Sequence, residues 1–336
     1  MDQSEKTIFV YENWRSDLPT LIGRLHTSII SGQENFSFEY SDEWLNSNNN
    51  SFSLDPDLFY FRGRQYIPLD KSQFGLFTDS CPDRWGRLLM TRKEAIDARK
   101  ESRKPRRLKE SYFLLGVYDE SRMGALRFSL EKDGEFLSKD DAFATPPWIR
   151  LRTLENASLA FENDESGQDE KWLTVLLAPG SSLGGARPKA SVLAADGSLW
   201  IAKFPSRNDE YNSGAWEKVV HDLARLCSLK VPESKLETFS KSGSTFLVKR
   251  FDRDGKRRIH YASAMTLLGK NEHDNRIDLS LANEVAEYFG LTMKEAKTKS
   301  SDICETIKAN WVRIAEFYGL SKSSIELMRP AFYNGI

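Results

Sequence analysis

The chain has 336 residues, with 48 Lys and Arg against 49 Asp and Glu, so its formal net charge is −1. This length allows about two to three domains of ordinary size, and the balanced charge excludes a globally basic nucleic-acid-binding protein. A content of 40% hydrophobic and 12% aromatic residues is sufficient for sizeable cores and excludes a disordered chain. No apolar run approaches the ~20 residues of a membrane span, and the N-terminus lacks the layout of a secretory signal. We therefore expect a soluble, cytoplasmic protein with no membrane partner.

The cysteines and histidines give no sign of a metal site. Cys81, Cys227 and Cys304 are far apart in sequence and have no C-x-x-C spacing. Their odd number and spacing exclude a disulfide framework and a Cys-based zinc site, and they are typical of a reducing compartment. The four histidines form no H-x-x-x-H pair, so no metal ligand is assigned.

The first part of the chain predicts strands, then a loop that leads into a helix. Residues 7–11 are β-branched and aromatic, and residues 36–40 alternate between apolar and polar side chains. The segment 74–90 contains Asp79 and Asp83 at positions that suit turns and helix N-caps. We predict structural roles for both aspartates.

Residues 84–109 form the most asymmetric charge run in the chain, with eleven Lys and Arg against three acidic residues, a local net charge of +8. One interpretation is a solvated helix face followed by a loop around Pro105. The other is a docking surface for nucleic acid or for an acidic partner. Beyond Trp85, no aromatic residue interleaves with these charges, which argues against a stacking platform for single strands.

The consecutive prolines of residues 144–148 (ATPPW) predict a domain boundary. Further on, Gly184 and Gly185 permit the close backbone approach that an anion-cradling loop requires. Residues 189–194 and 199–204 then read as two strands joined by an Asp-Gly turn. Lys203 lies among apolar neighbours on the second strand, so a partner or a ligand must hold its ammonium group.

A helix is predicted over residues 214–228, with Glu217 in its first turn. A second hairpin follows, with strands at 235–239 and 245–252 and a turn at 240–244. The order of glycine-rich loop, hairpin with an inward lysine, helix with a glutamate and strand into a hinge is the layout of a protein-kinase small lobe. The Walker-A pattern is absent, which argues against a P-loop NTPase.

The chain resembles the HipA family, the bacterial serine/threonine kinase toxins of toxin–antitoxin modules. The matching segments are spread over the chain: 74–86 (FGLFTDSCPDRWG), 181–189 (SSLGGARPK), 201–205 (IAKFP), 248–253 (VKRFDR) and 278–291 (DLSLANEVAEYFGL). The resemblance implies ATP and Mg²⁺ as cofactors. It also implies a helix-turn-helix antitoxin as partner, operator DNA bound indirectly through that antitoxin, and a possible dimeric assembly.

Carried over residue by residue, the resemblance implies that Lys203 contacts the ATP phosphates and that Glu217 is its partner carboxylate. The loop around Gly184 and Gly185 would cover the phosphates. Backbone around Lys249 and Phe251 would meet the adenine, although the family commonly has Glu where Lys249 stands.

Family members inactivate themselves by phosphorylating a serine of the glycine-rich loop. By alignment on the Gly-Gly pair, that serine is Ser182, with Ser181 as the second choice. A phosphate there would add about −1.5 to −2 charges to a loop that must cradle phosphates.

The catalytic part of the family pattern is missing. The resemblance predicts an Asn-x-Asp-x-His-x-x-Asn-like loop and a metal-binding Asp after the hinge, but only residues 270–277 separate the matched segment 264–269 from the late helices. Residues 272–276 (EHDNR) have suitable residue types in the wrong order and predict an exposed turn. We infer an internal deletion of the catalytic core, assign no catalytic residue and expect no efficient catalysis.

The predicted fold is α+β. An N-terminal α/β subdomain (1–145) is followed by a kinase-like small lobe made of an antiparallel sheet and one helix (146–269), and then by a shortened, all-helical part (270–336). The predicted function is that of a HipA-type kinase with impaired catalysis. The alternatives are an inactive pseudokinase that binds an antitoxin, and a remnant of a decayed toxin gene.

Overall fold

The computed structural model describes residues 5–47, 53–139, 145–163, 170–177, 185–255, 257–269 and 279–333. Its internal contacts divide the chain into two compact units. The first comprises Met1–Ile201 and Arg250–Asn271, and the second comprises Ala202–Lys249 and Glu272–Ile336. The domain limits at residues 145 and 269 remain predictions.

The first unit contains a five-stranded antiparallel sheet with the strand order β4-β3-β2-β1-β5. Its strands are β1 (Lys6–Glu12), β2 (Thr20–Ile30), β3 (Gln33–Tyr40), β4 (Gln65–Tyr66) and β5 (Leu126–Ser129). Leu25 lies opposite Ile8 on one side and opposite Phe38 on the other, and all three are fully buried. The alternation seen in the sequence thus corresponds to one face of the sheet in the core.

The first unit also contains the helices α1 (Asp42–Asn46), α2 (Gly75–Thr78), α3 (Arg84–Lys100), α4 (Glu110–Gly116), α5 (Leu151–Asn163), α6 (Glu170–Leu177) and α8 (Ala264–Leu267). The same unit holds β6 (Lys189–Leu193) and the two-stranded ribbon of β10 (Arg253–Asp254) and β11 (Arg257–Arg258). Asp83 caps α3, because its side chain accepts a hydrogen bond of 2.8 Å from the N–H of Gly86. Asp79 instead ends α2 and accepts from the N–H of Ser263 at 2.7 Å.

The predicted Asp-Gly turn leads from β6 to β7 (Leu199–Lys203). Gly197 has φ +80°, a conformation that favours glycine, and Asp196 accepts a hydrogen bond of 2.9 Å from the N–H of Ser198. The boundary between the two units falls within β7.

The second unit combines a β-hairpin with helices: α7 (Ser213–Leu226), β8 (Ser234–Ser240), β9 (Gly243–Lys249), α9 (Leu279–Glu284), α10 (Met293–Phe317) and α11 (Lys322–Tyr333). Two sequence predictions need correction here. Ser240 pairs with Gly243, so the hairpin turn is shorter than the predicted 240–244. Helix α7 begins at Ser213 after the cap Asn212, so Glu217 lies in its second turn.

An aromatic cluster forms the core of the second unit. The rings of Trp311 and Phe332 stack with centroids 4.5 Å apart, and the Trp216 and Phe332 centroids are 5.9 Å apart. Gly290 ends the preceding 3₁₀ turn at φ +68°, and Thr292 and Glu295 form a capping box at the start of α10.

The antiparallel sheets and the helices together confirm the predicted mixed α+β class. Within the described ranges, no helix combines the length and the apolar character that a membrane crossing requires.

Candidate functional site

Lys203 and Glu217 form an ion pair in the second unit. The Nζ atom of Lys203 lies 2.5 Å from Oε2 of Glu217, and the two side chains are 29% and 30% exposed. Nζ is also 5.9 Å from the ring centroid of Phe246, a buried residue of β9. The structure therefore brings together the lysine and the carboxylate that the sequence order predicted as partners, and leaves both within reach of a ligand.

Alternation along β7 places Lys203 on the more open face of the strand. Trp200 and Ala202 are buried, whereas Leu199, Ile201 and Lys203 are half-buried. Because successive side chains of a strand point to opposite faces, the two buried residues fix the side on which Lys203 emerges.

Close contact between the start of α7 and β9 positions Glu217. The Oδ1 atom of Asn212 accepts from the N–H of Ala215 at 3.2 Å and from the N–H of Ser244 at 3.0 Å. Its Nδ2 donates to the hydroxyl of Ser244 at 3.0 Å. At Gly214, a Cβ atom would lie 1.9 Å from the carbonyl oxygen of Ser244, so only glycine permits this approach.

The glycine-rich segment is described only from Gly185 onward, and Gly184, Ser181 and Ser182 lie outside the described residues. Gly185 has φ +87°, and a Cβ atom there would meet nothing within 4 Å. Its carbonyl accepts hydrogen bonds from the N–H of Trp85 at 3.4 Å and from Nζ of Lys189 at 3.1 Å.

A second, buried ion pair lies beside this segment in the first unit. Nζ of Lys189 is 2.6 Å from Oδ2 of Asp83, and the side chains are 1% and 4% exposed. Burial raises the pKa of Asp83, and the charge of Lys189 opposes that rise. The sequence did not indicate this pair, because Asp83 lies 106 positions before Lys189.

The predicted hinge residues have separate environments. The N–H of Lys249 donates to the carbonyl of Glu233 at 2.8 Å. Phe251 is 51% exposed, between Arg250 and Asp252, which pair at 2.6 Å and have fully buried side chains. The adenine contact expected of Lys249 and Phe251 remains a prediction.

Helix α3 of the basic run ends in a Schellman motif. Ser102 has φ +52°, its N–H donates to the carbonyl of Arg99 at 3.1 Å, and the N–H of Arg103 donates to the carbonyl of Ala98 at 2.9 Å. These two bonds satisfy carbonyls at the end of the helix and set the direction of the loop that follows.

Glu94 then holds that loop. Its carboxylate is 2% exposed, pairs with Arg103, and accepts from Nη2 of Arg106 at 3.0 Å and from the N–H of Arg106 at 2.9 Å. The hydrogen bonds from Arg103 and Arg106 lower the pKa of Glu94 well below its ordinary value. Other charges of the run pair with acids, as Lys93 does with Asp97 at 2.5 Å.

Several exposed cations flank the ion pairs of Glu94, among them Arg99, Lys104 and Arg107. The run is therefore in part a helix face engaged in ion pairs and in part an ordered, outward-facing basic surface.

The part of the chain that the structure describes contains no group of three or more His, Cys, Asp or Glu residues able to hold a metal ion. The cofactor role of Mg²⁺, which the resemblance implies, remains an expectation.

The fold and the site together define an α+β protein in which a lysine on a strand pairs with a glutamate on the helix that follows. The family model of the HipA-like C-terminal domain matches residues 181–315, which include both Lys203 and Glu217. This match supports, for residues 181–315, the resemblance found in the sequence.

Among solved structures, the chain is similar to one titled "Shewanella oneidensis MR-1 Toxin Antitoxin System HipA, HipB and its operator DNA complex". The identity is 16% and the TM-score is 0.43, over 92% of this chain and 68% of that chain. No curated protein sequence matches the chain.

Proposed function

We propose that this chain is a HipA-type, kinase-related protein that binds the phosphates of a nucleotide at Lys203 and does not transfer them efficiently. The observation that supports the binding half of the proposal is the 2.5 Å contact between Lys203 and Glu217. In kinases, such a pair presents one ammonium group to the nucleotide phosphates in a fixed orientation.

The geometry favours a phosphate ligand over a purely structural ion pair. Both side chains are about one-third exposed, and an exposed ion pair adds about 1 kcal/mol or less to stability. Yet the chain holds this pair with a helix cap, a glycine contact and a strand register, which is more positional control than such a small contribution explains. ATP is the nucleotide that the family resemblance supplies.

The sequence supports the proposal that phosphoryl transfer is not efficient. Phosphoryl transfer needs a residue that accepts the hydroxyl proton and an acidic residue that holds Mg²⁺ on the phosphates. Only residues 268–278 lie between α8, which ends at Leu267, and α9, which begins at Leu279, too few for the expected catalytic loop together with a metal-binding strand, and their residue types are in the wrong order for that loop.

Thermal unfolding with and without ATP tests nucleotide binding. A ligand that binds only the folded state stabilises it by about 2.7 kcal/mol at 100 times its dissociation constant, so we expect ATP to raise the melting temperature. Lys203→Ala and Glu217→Gln should abolish or sharply reduce this shift. Lys241→Ala, an exposed lysine in the β8–β9 turn, is the matched control and should keep it.

A melting shift that survives in Lys203→Ala at full size would contradict the proposed site. A wild-type protein that unfolds cooperatively but shows no shift with ATP would exclude nucleotide binding and leave the binding-module function. A low, broad transition without any ligand effect is the result expected for the remnant of a decayed gene.

A second candidate function is that of a binding module for a helix-turn-helix antitoxin, through which operator DNA would be bound indirectly. The basic surface of Arg99, Lys104 and Arg107 favours it, because the buried Glu94 anchor orders the loop that presents these charges. An ordered basic surface suits an acidic patch on a partner protein.

This second function can be tested with the helix-turn-helix protein encoded by a neighbouring gene. We expect the triple variant Arg99→Ala, Lys104→Ala, Arg107→Ala to weaken the complex and to reduce the salt dependence of the association rate. The matched control removes three exposed lysines of α10, Lys294, Lys297 and Lys299. Equal losses in both variants would show that only total charge matters.

A further inference from the structure

Two of the three thiols of the chain, far apart in sequence, lie near each other in the second unit. Cys227 is the C-cap of α7 and Cys304 lies on α10. The Sγ atom of Cys227 lies 3.9 Å from the carbonyl oxygen of Ile303, the residue immediately before Cys304. Both cysteines are free and only half-buried.

Covalent geometry limits how far apart these two cysteines are. In a planar trans peptide, a carbonyl oxygen lies about 2.8 Å from the Cα of the next residue. Added to the 3.9 Å contact, this places Sγ of Cys227 within about 6.7 Å of Cα of Cys304, close to what a disulfide needs after side-chain rotation. The pKa of Cys227 is raised by burial and, to a smaller extent, by the nearby Cys304.

We propose that Cys227 and Cys304 form a reversible disulfide, a redox modification site that links α7 to α10. The oxidant is a small-molecule disulfide such as oxidised glutathione. One cysteine thiolate attacks it, forming a mixed disulfide and releasing one glutathione thiol. The second cysteine thiolate then displaces the other glutathione, so two protein thiols lose two electrons and two protons, and two glutathione thiols form.

The proposed disulfide would restrain α7, the helix that carries Glu217. Asn212 and Gly214 fix the start of α7 on β9, and the new bond would fix its end on α10. The N-terminal half of α10 is largely exposed, with Ala296 as its one buried residue among 293–303, so α10 has few packing contacts that resist the small movement required. Oxidation would therefore make α7 more rigid without changing the groups at Lys203.

Cys81 serves as an internal control. It is 3% exposed, and burial raises its pKa to about 12. A thiol with these properties supplies almost no thiolate for exchange near neutral pH. We therefore expect Cys81 to stay reduced while Cys227 and Cys304 react.

The test treats the full chain with oxidised glutathione, alkylates the remaining thiols after unfolding and measures the intact mass. We expect one alkylated thiol per chain, a cross-linked peptide pair containing Cys227 and Cys304, and a higher melting temperature that a reducing agent reverses. The reaction should be faster at pH 8.5 than at pH 7, because the raised pKa of Cys227 keeps its thiolate scarce at pH 7.

Two conservative variants separate the outcomes. Cys304→Ser should lose the cross-link and the melting shift, whereas Cys81→Ser should keep both. Three alkylated thiols in the wild type, a glutathione adduct that persists, or cross-links between chains would each overturn the proposal.

Discussion

Gly214 lies so close to Ser244 that a Cβ atom on it would be 1.9 Å from the Ser244 carbonyl oxygen. The first turn of α7 therefore rests directly on the backbone of β9. Glu217 follows one turn later on the same helix, and its carboxylate meets Lys203. The approach of two backbones thus sets the position of the ion pair.

Replacing Gly214 with alanine tests this relationship. In an ordinary helix interior the change stabilises by about 1 kcal/mol. Here we expect the opposite sign, a loss of about 1–3 kcal/mol, because the added methyl group must displace backbone atoms. Urea unfolding gives the free energy, and the ATP-dependent melting shift should shrink as Glu217 moves.

Ser213→Ala is the neighbouring control, because it removes only the hydroxyl of Ser213, which donates to Asp209 at 3.1 Å and to the carbonyl of Tyr211 at 3.5 Å. Its cost should stay near 1 kcal/mol. If Gly214→Ala were as stable as the wild type or more stable, the close approach would have no role in placing the helix.

The buried carboxylate of Glu94 predicts a second effect. Glu94→Gln keeps the size of the side chain but removes the charge that holds Arg103 and Arg106, so we expect a loss of about 1–3 kcal/mol. Protease cleavage after the basic residues of the loop 103–107 should also become faster, because the loop loses its anchor.

Glu101→Gln provides the comparison for Glu94. Glu101 is 61% exposed and pairs only at the surface with Arg103, so its replacement should change stability by less than about 0.5 kcal/mol. Similar effects of the two substitutions would show that Glu94 does not anchor the loop.

Acid pH should destabilise the first unit through Asp252. Burial alone would raise the pKa of this carboxyl, but Arg250 and other groups outweigh it, and the net pKa is lowered. A group whose folded pKa is lowered stabilises the fold above its unfolded pKa of about 3.9, and that stability is lost as the pH falls below this value.

Urea midpoints between about pH 6 and pH 2.5 measure this dependence. We expect the stability of the wild type to fall steeply below about pH 4. Asp252→Asn should be less stable at neutral pH, because it leaves Arg250 buried without its carboxylate, and it should show a shallower pH dependence. An unchanged slope in the variant would assign the acid effect to other carboxylates.

Local patterns predicted much of the fold. Alternation predicted the strand around Phe38, turn chemistry predicted the bend at Gly197, and a cap residue predicted the start of α3 at Asp83. Each of these features depends on residues within a few positions of one another, so the sequence alone carries the information. The pairing of Lys203 with Glu217 was predictable for a different reason, because the order of elements matched a known layout.

Contacts between distant segments were not predictable in this way. Nothing near Lys189 in the sequence indicates Asp83, and nothing near Cys227 indicates Cys304. The buried Glu94 looked like one more charge on a solvated face. Packing of whole elements decides these contacts, and the sequence pattern specifies each element without specifying its neighbours.

The most direct measurement is retention of γ-phosphate-labelled ATP by the full chain, read before and after an acid wash. The proposed function predicts label that excess unlabelled ATP displaces, that acid removes completely, and that falls about tenfold or more in Lys203→Ala but not in Lys241→Ala. Acid-stable label on the wild-type chain, absent in Lys203→Ala, would contradict the proposed loss of phosphoryl transfer. No label at all, or equal label in Lys203→Ala, would contradict the nucleotide site itself.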